Sequence, residues 1–142
     1  MRYRGFTLVE IIIVISIIGI LATIVTMSVL SIRQHGRNAE RSTDISLILN
    51  AIYQYALDNN NQLPATITTA TTTICRTGAA TCIGLIDLSV LTLNQKYIPT
   101  LPTDPLSTST TSTGYSLLKN SIGRVTILAP SAEASTTISF TR

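Results

Sequence analysis

A chain of 142 residues holds one small domain and a membrane segment, not two full domains. Its 45% hydrophobic content averages two unlike parts: much of it lies before Ser31, and the polar, Thr- and Ser-rich sequence after about Asn60 can bury only a small core. The formal net charge of +3 includes Arg2 and Arg4; without them +1 remains, too little for nucleic-acid binding through bulk electrostatics.

Ile11 to Ile32 carries no charged residue and, at about 1.5 Å per helical residue, crosses the hydrocarbon core of a bilayer. Val9 to Ile18 is dense in β-branched residues, yet a lone strand in lipid leaves its backbone polar groups unpaired, so the run is predicted as a helix. A cleavable secretory signal needs a shorter apolar core followed by a small-residue site, which Ala22-Thr23-Ile24 does not supply. Arg2 and Arg4 place the amino terminus in the cytoplasm by the positive-inside rule, and the chain beyond Ile32 outside the inner membrane.

Glu10 is the exception in this block, since a carboxylate at the bilayer centre costs about 2.5–3.5 kcal/mol. Thr7 and Glu10 have the spacing of a capping box, and the helix dipole favours an anion there. The alternative is that Glu10 meets a cation when neighbouring helices pack together.

Gly5-Phe6-Thr7-Leu8-Val9-Glu10, behind a short basic leader and ahead of a long apolar helix, resembles the prepilin signature of type IV pilins and type II secretion pseudopilins. The resemblance implies cleavage between Gly5 and Phe6 by prepilin peptidase, N-methylation of the new terminal Phe6, and pairing of Glu10 with the Phe6 amine of a neighbouring subunit. Ser16, Gly19, Thr23 and Thr26 share one helix side, a stripe of small residues that admits close helix approach. Many major pilins have a helix-breaking proline where this chain has Met27, so local melting of the helix is not carried over.

Arg33, His35, Arg37, Glu40, Arg41 and Asp44 follow as a charged collar, read as a solvated face near lipid headgroups, with subunit contacts as the alternative. Ile45, Ile48, Leu49, Ile52 and Ala56 recur at helical spacing and mark an apolar stripe for a head domain, flanked by Tyr53 and Tyr55. Asn59-Asn60-Asn61 and Pro64 end the helix. From Phe6 it is then roughly 80 Å long. A head this small cannot cover such a helix, so its first half belongs in lipid or among other subunits.

Ala65 to Thr73 reads as an exposed loop. Cys75 and Cys82 are expected to form a disulfide outside the inner membrane; the spacing lacks the C-x-x-C of a redox or metal site. Leu85 to Tyr97 reads as a short helix. Leu101-Pro102-Thr103-Asp104-Pro105 is similar to the LPxDP stretch before the sheet in major pseudopilins and related pilins, although Leu106-Ser107 replaces the usual Trp-Gly. In some pseudopilins a nearby loop binds calcium. Here only Asp104 and Glu133 are acidic after Asp87, which favours a proline-fixed turn with Asp104 bonding its own backbone. Leu106 to Gly114 is a Ser/Thr surface loop, and Tyr115 to Leu118, Arg124 to Leu128 and Thr136 to Phe140 read as strands.

The expected fold is α+β and pilin-like: a long N-terminal helix with a membrane-spanning first half, and a small head with an antiparallel sheet on the Ile45 to Ala56 stripe. The parts are a cleaved leader, 1–5; a transmembrane assembly half, 6–32; an amphipathic half, 33–60; and the head, 61–142. The function implied by the resemblance is a structural subunit of a type IV pilus, held in the inner membrane before assembly and extracellular afterwards. Its partners are copies of itself, the peptidase, and the assembly platform with its ATPase. The alternatives are a type II secretion pseudopilin or a DNA-binding minor pilin, the last weakened because Arg76, Lys96, Lys119, Arg124 and Arg142 are scattered along the sequence. No cofactor, metal or catalytic residue is expected: the sequence has no cysteine-histidine spacing, phosphate loop or adjacent carboxylate pair.

Overall fold

The structure, a computed structural model, describes residues 5–142; Met1 to Arg4, most of the expected leader, lie outside the described residues. One helix, α1 (Leu8–Asp58), takes 51 residues and is about 75 Å long. Thr7 caps its start: the backbone is extended there, and its Oγ1 accepts a hydrogen bond from the Glu10 N–H at 3.2 Å. At the other end the Asn61 N–H donates to the Ala56 carbonyl at 2.8 Å, with Asn60 and Asn61 in the left-handed region that asparagine tolerates.

The two halves of α1 differ in what surrounds them. Its apolar amino-terminal stretch is long enough to cross a membrane and none of it is buried. The hydroxyls of Ser16, Thr23 and Thr26 donate to Ile12, Gly19, and Ala22 and Thr23 carbonyls of their own helix. They need no outside partner in lipid, and the stripe presents small, satisfied surface to another helix.

In the second half Ile45, Ile48 and Ile52 are fully buried against the head. The head starts with β1 (Thr72–Cys75), continues through a short helix, α2 (Ser89–Thr92), and a 3-10 turn (Leu93–Gln95), and ends in β2 (Ser112–Lys119), β3 (Val125–Ala129) and β4 (Ile138–Thr141). The strands form one antiparallel sheet in the order β1-β2-β3-β4. Alternation turns Tyr115, Leu117, Val125 and Ile127 toward α1 at zero exposure, which closes a single core between sheet and helix. The α+β, pilin-like architecture is the expected one.

Three local expectations change. Part of the Ala65 to Thr73 loop is structure: Ile67 is buried, and Thr72 and Thr73 open the edge strand β1, opposite Leu117 and Ser116. Threonine suits a half-buried pleat, and the strand's partner is some 40 residues away, beyond the reach of local periodicity. The Leu85 to Tyr97 helix shrinks to α2 and the 3-10 turn because Asn94 has φ +53°. Finally, β2 begins at Ser112, inside the Ser/Thr run.

Cys75 and Cys82 are joined by a disulfide. Closing a loop with seven residues of separation removes about 2.5 kcal/mol of unfolded-chain entropy. A Cys75→Ser/Cys82→Ser chain is therefore expected to unfold with a stability lower by about 2–3 kcal/mol in a denaturant titration.

Candidate functional site: the buried ionic joint between stem and head

Half of the charged collar is built into the head: Arg33, His35 and Glu40 are exposed, as a solvated face would be, whereas Arg37, Arg41 and Asp44 are drawn into contacts that overturn that reading for them. Arg41, one turn before the apolar stripe, is fully buried and reaches Asp104 in the LPTDP turn through two contacts, Nε to Oδ2 at 2.7 Å and Nη2 to Oδ1 at 3.2 Å. Its Nη1 donates to Asn38 Oδ1 at 2.9 Å and to Glu133 Oε2 at 3.1 Å. Glu133, between β3 and β4, also takes two 2.6 Å bonds from Arg37 Nε and Nη2. Asn38 completes the joint on both sides, accepting from the Glu133 N–H at 3.0 Å and donating to the Glu133 carbonyl at 2.9 Å. One face of α1 thus holds a turn and a loop distant in sequence, and the planar guanidinium supplies the fork that a carboxylate accepts.

Local geometry prepares each partner. The Asp104 carboxylate accepts from the Leu106 N–H at 2.8 Å, as its turn chemistry predicts, while the Asp104 N–H donates to the Thr113 carbonyl of β2 at 2.8 Å. Gly114 passes close behind with φ +87°, and a Cβ there would lie 2.9 Å from the Asp104 Cβ. Gly114→Ala is expected to lower head stability by about 1–3 kcal/mol, measured as a fall in the denaturant midpoint. One turn along α1, Asp44 accepts a 2.6 Å bond from the buried Tyr115 hydroxyl. Burial, followed by that bond, pushes the Tyr115 phenol up, so it stays the donor.

The Arg37 fork, followed by burial acting the other way and the Arg41 bond, holds the Glu133 carboxyl down at about 2. Because this folded value lies below the ordinary 4.5, its contribution is complete above pH 4.5 and lost as the pH falls toward about 2. Asp44 runs the other way: burial raises its carboxyl against the Tyr115 bond, so its contribution is present at low pH and lost as the pH rises through its folded value. Protease sensitivity of the head–stem joint is expected to rise between pH 4.5 and about 2.

The residues do not fit a calcium site. A hard divalent cation needs six to eight oxygen ligands, and both Asp104 oxygens are already taken by Arg41. Among the described residues no three acidic, histidine or cysteine side chains converge.

The signature residues lie at the other end of the molecule. Gly5 and Phe6 precede α1, and Glu10 occupies its first turn, exposed with the rest of the uncovered half. Of the head cations, Arg76 donates to the Ser109 carbonyl and Lys96 pairs with Asp58 at 2.7 Å. Lys119, Arg124 and Arg142 meet at one end of the sheet through the Lys119–Val125 register and the Val125–Arg142 backbone pair. Arg142 is committed there to Asn50 at 2.9 Å, over the Tyr53 ring. The joint itself was missed from sequence, although arginine at positions 37 and 41 just before an apolar stripe was the available signal.

A membrane-length helix left bare at one end and built into a four-stranded head at the other defines a pilin-like α+β protein. Residues 1–26 match the prokaryotic N-terminal methylation motif. The chain is 33% identical over 107 residues to a type II secretion system core protein G of Escherichia coli (strain K12), covering 73% of this chain and 67% of that protein. Core proteins G of Aeromonas hydrophila and Vibrio cholerae are 39% identical over 59 residues, 42% of this chain. The matched segment is 41% and 40% of those two proteins, so the chain spans about two fifths of their length. No solved structure matches. The chain belongs to the type IV pilin and type II secretion pseudopilin family. Its methylation motif and apolar helix fit membrane anchoring before assembly.

Proposed function

We propose that this protein is a pseudopilin-type structural subunit, without catalytic activity, that polymerises with copies of itself in a type II secretion system. The similarity to core protein G runs over most of the chain and favours secretion over the surface pilus that the prepilin signature also admits. The subunit is inserted through 6–32 with its amino terminus cytoplasmic, cut between Gly5 and Phe6 by prepilin peptidase, and N-methylated at Phe6. It is then drawn into a filament by an assembly platform and its ATPase. Glu10 neutralises the Phe6 amine of a neighbour, and the stripe at Ser16, Gly19, Thr23 and Thr26 lets the helices pack. The observation that carries this reading is the bare half of α1: none of the residues of the apolar stretch is buried within the subunit, so its cover has to come from lipid or other copies.

Mass spectrometry of fractionated cells tests both steps. The expected result is a chain beginning at methylated Phe6, held in the cell envelope, whose deletion stops protein secretion. Recovery in long sheared surface fibres, with secretion intact, would turn the assignment to a pilus; an intact Met1 in every fraction would remove processing and assembly together.

A further inference from the structure

We infer that the Arg41 guanidinium takes the structural place of a cross-linking metal ion, a guanidinium-specific clamp that makes the head independent of calcium. Three separated segments converge on this one side chain: α1 itself, the turn at Asp104, and the loop at Glu133. That convergence is what a divalent cation does for a small extracellular domain, drawing carboxylates from different parts of the chain onto one centre of charge.

The geometry selects a fork over a sphere. Asp104 meets two nitrogens of one planar group, while a third nitrogen of that group serves Asn38 and Glu133. The side chains of Arg41 and Asp104 are 0% and 1% exposed, so the pair is shielded from water. A single ammonium or a hydrated ion cannot offer these directions at once. Arg37 holds Glu133 from the outer side, at 29% side-chain exposure, so the second carboxylate is fixed by two guanidinium groups. No buried side-chain nitrogen or oxygen among the described residues is left without a partner, so the joint is complete as built.

The test uses the full chain in detergent micelles with its disulfide intact and follows the temperature at which the head becomes protease-sensitive. The natural chain is expected to give the same midpoint in about 10 mM calcium and in excess chelator. A calcium site of Kd about 10⁻⁴ M would instead change the folded-to-unfolded ratio about 100-fold, and such a shift would overturn the proposal. Arg41→Ala is expected to lower the midpoint, with recovery in millimolar methylguanidinium and none in calcium. Rescue by calcium, or by neither cation, would also overturn it. If Arg41→Ala does not accumulate folded, the natural chain in calcium and chelator decides alone.

Discussion

Replacing Glu10 with alanine is expected to cut the yield of assembled filament on the order of 100-fold while leaving membrane insertion and the head unchanged. In the proposed filament the carboxylate and a neighbour's Phe6 amine would share one low-dielectric site, and removing either would strand the other. An uncompensated charge at that depth costs about 2.5–3.5 kcal/mol, and each 1.4 kcal/mol weakens an addition step about tenfold. The substitution removes a charge just ahead of the apolar run, so insertion is not impaired. This separates an assembly defect from an insertion defect. Quantifying pelleted polymer against total membrane-bound subunit checks the result; equal polymer in the variant would sink the role given to Glu10. Glu10→Gln is the sharper comparison, because it keeps the side-chain shape but not the charge, while the cap at Thr7 uses the backbone N–H and survives in both variants.

The second large effect belongs to the joint. Arg41→Met removes one side of a buried ion pair and leaves Asp104 charged in the interior, a loss of about 3–5 kcal/mol. For a small head with total stability of about 5–15 kcal/mol, that approaches unfolding. Arg41→Met combined with Asp104→Asn is expected to lose less than the single change. The amide oxygen can still accept from the Leu106 N–H, and no bare charge remains beside the methionine. A double-mutant cycle on full chain in micelles should therefore give a coupling of about 1–3 kcal/mol. Additive losses would mean that Arg41 acts through packing of its stem rather than through the carboxylate. Both variants keep the membrane half of α1 intact, so membrane abundance controls for expression.

These two predictions come from regions that differ in how much a linear reading reveals. Glu10 stands out because its neighbours in sequence are also its neighbours in space, and an apolar run of that length has only one way to satisfy its backbone in lipid. The end of α1 at the three asparagines was legible for the same reason, since left-handed backbone and a following proline act within a few residues. The apolar stripe at Ile45, Ile48 and Ile52 revealed which face of α1 the head covers, because burial has the period of the helix itself.

The collar misled because charge at helical spacing looks alike whether it faces water or a partner folded onto it from far along the chain. Arg41 lies 63 positions from Asp104 and 92 from Glu133, and Arg37 lies 96 from Glu133. No pattern within a window of the sequence encodes those distances. Asp104 was recognised as the key acid of its turn, and its backbone bond was anticipated. Its principal partner was not, since that partner is presented by another element. Strand β1 escaped for a related reason: four residues with threonine at two of them carry little signal until β2 supplies the ladder.

By itself the sequence determined the membrane-length helix, its cap and its end, the processing signature, and the apolar face on which a head must sit. Each depends on interactions within a few turns of chain, or on the solvent that a run of residues prefers. Only the tertiary structure decided that part of the collar is an internal joint, that Arg37 and Arg41 face Glu133 and Asp104, and that the sheet has a fourth strand at its edge. Buried ion pairs and strand ladders gain their energy from partners that folding alone brings together, and chain closure over such distances leaves no local trace.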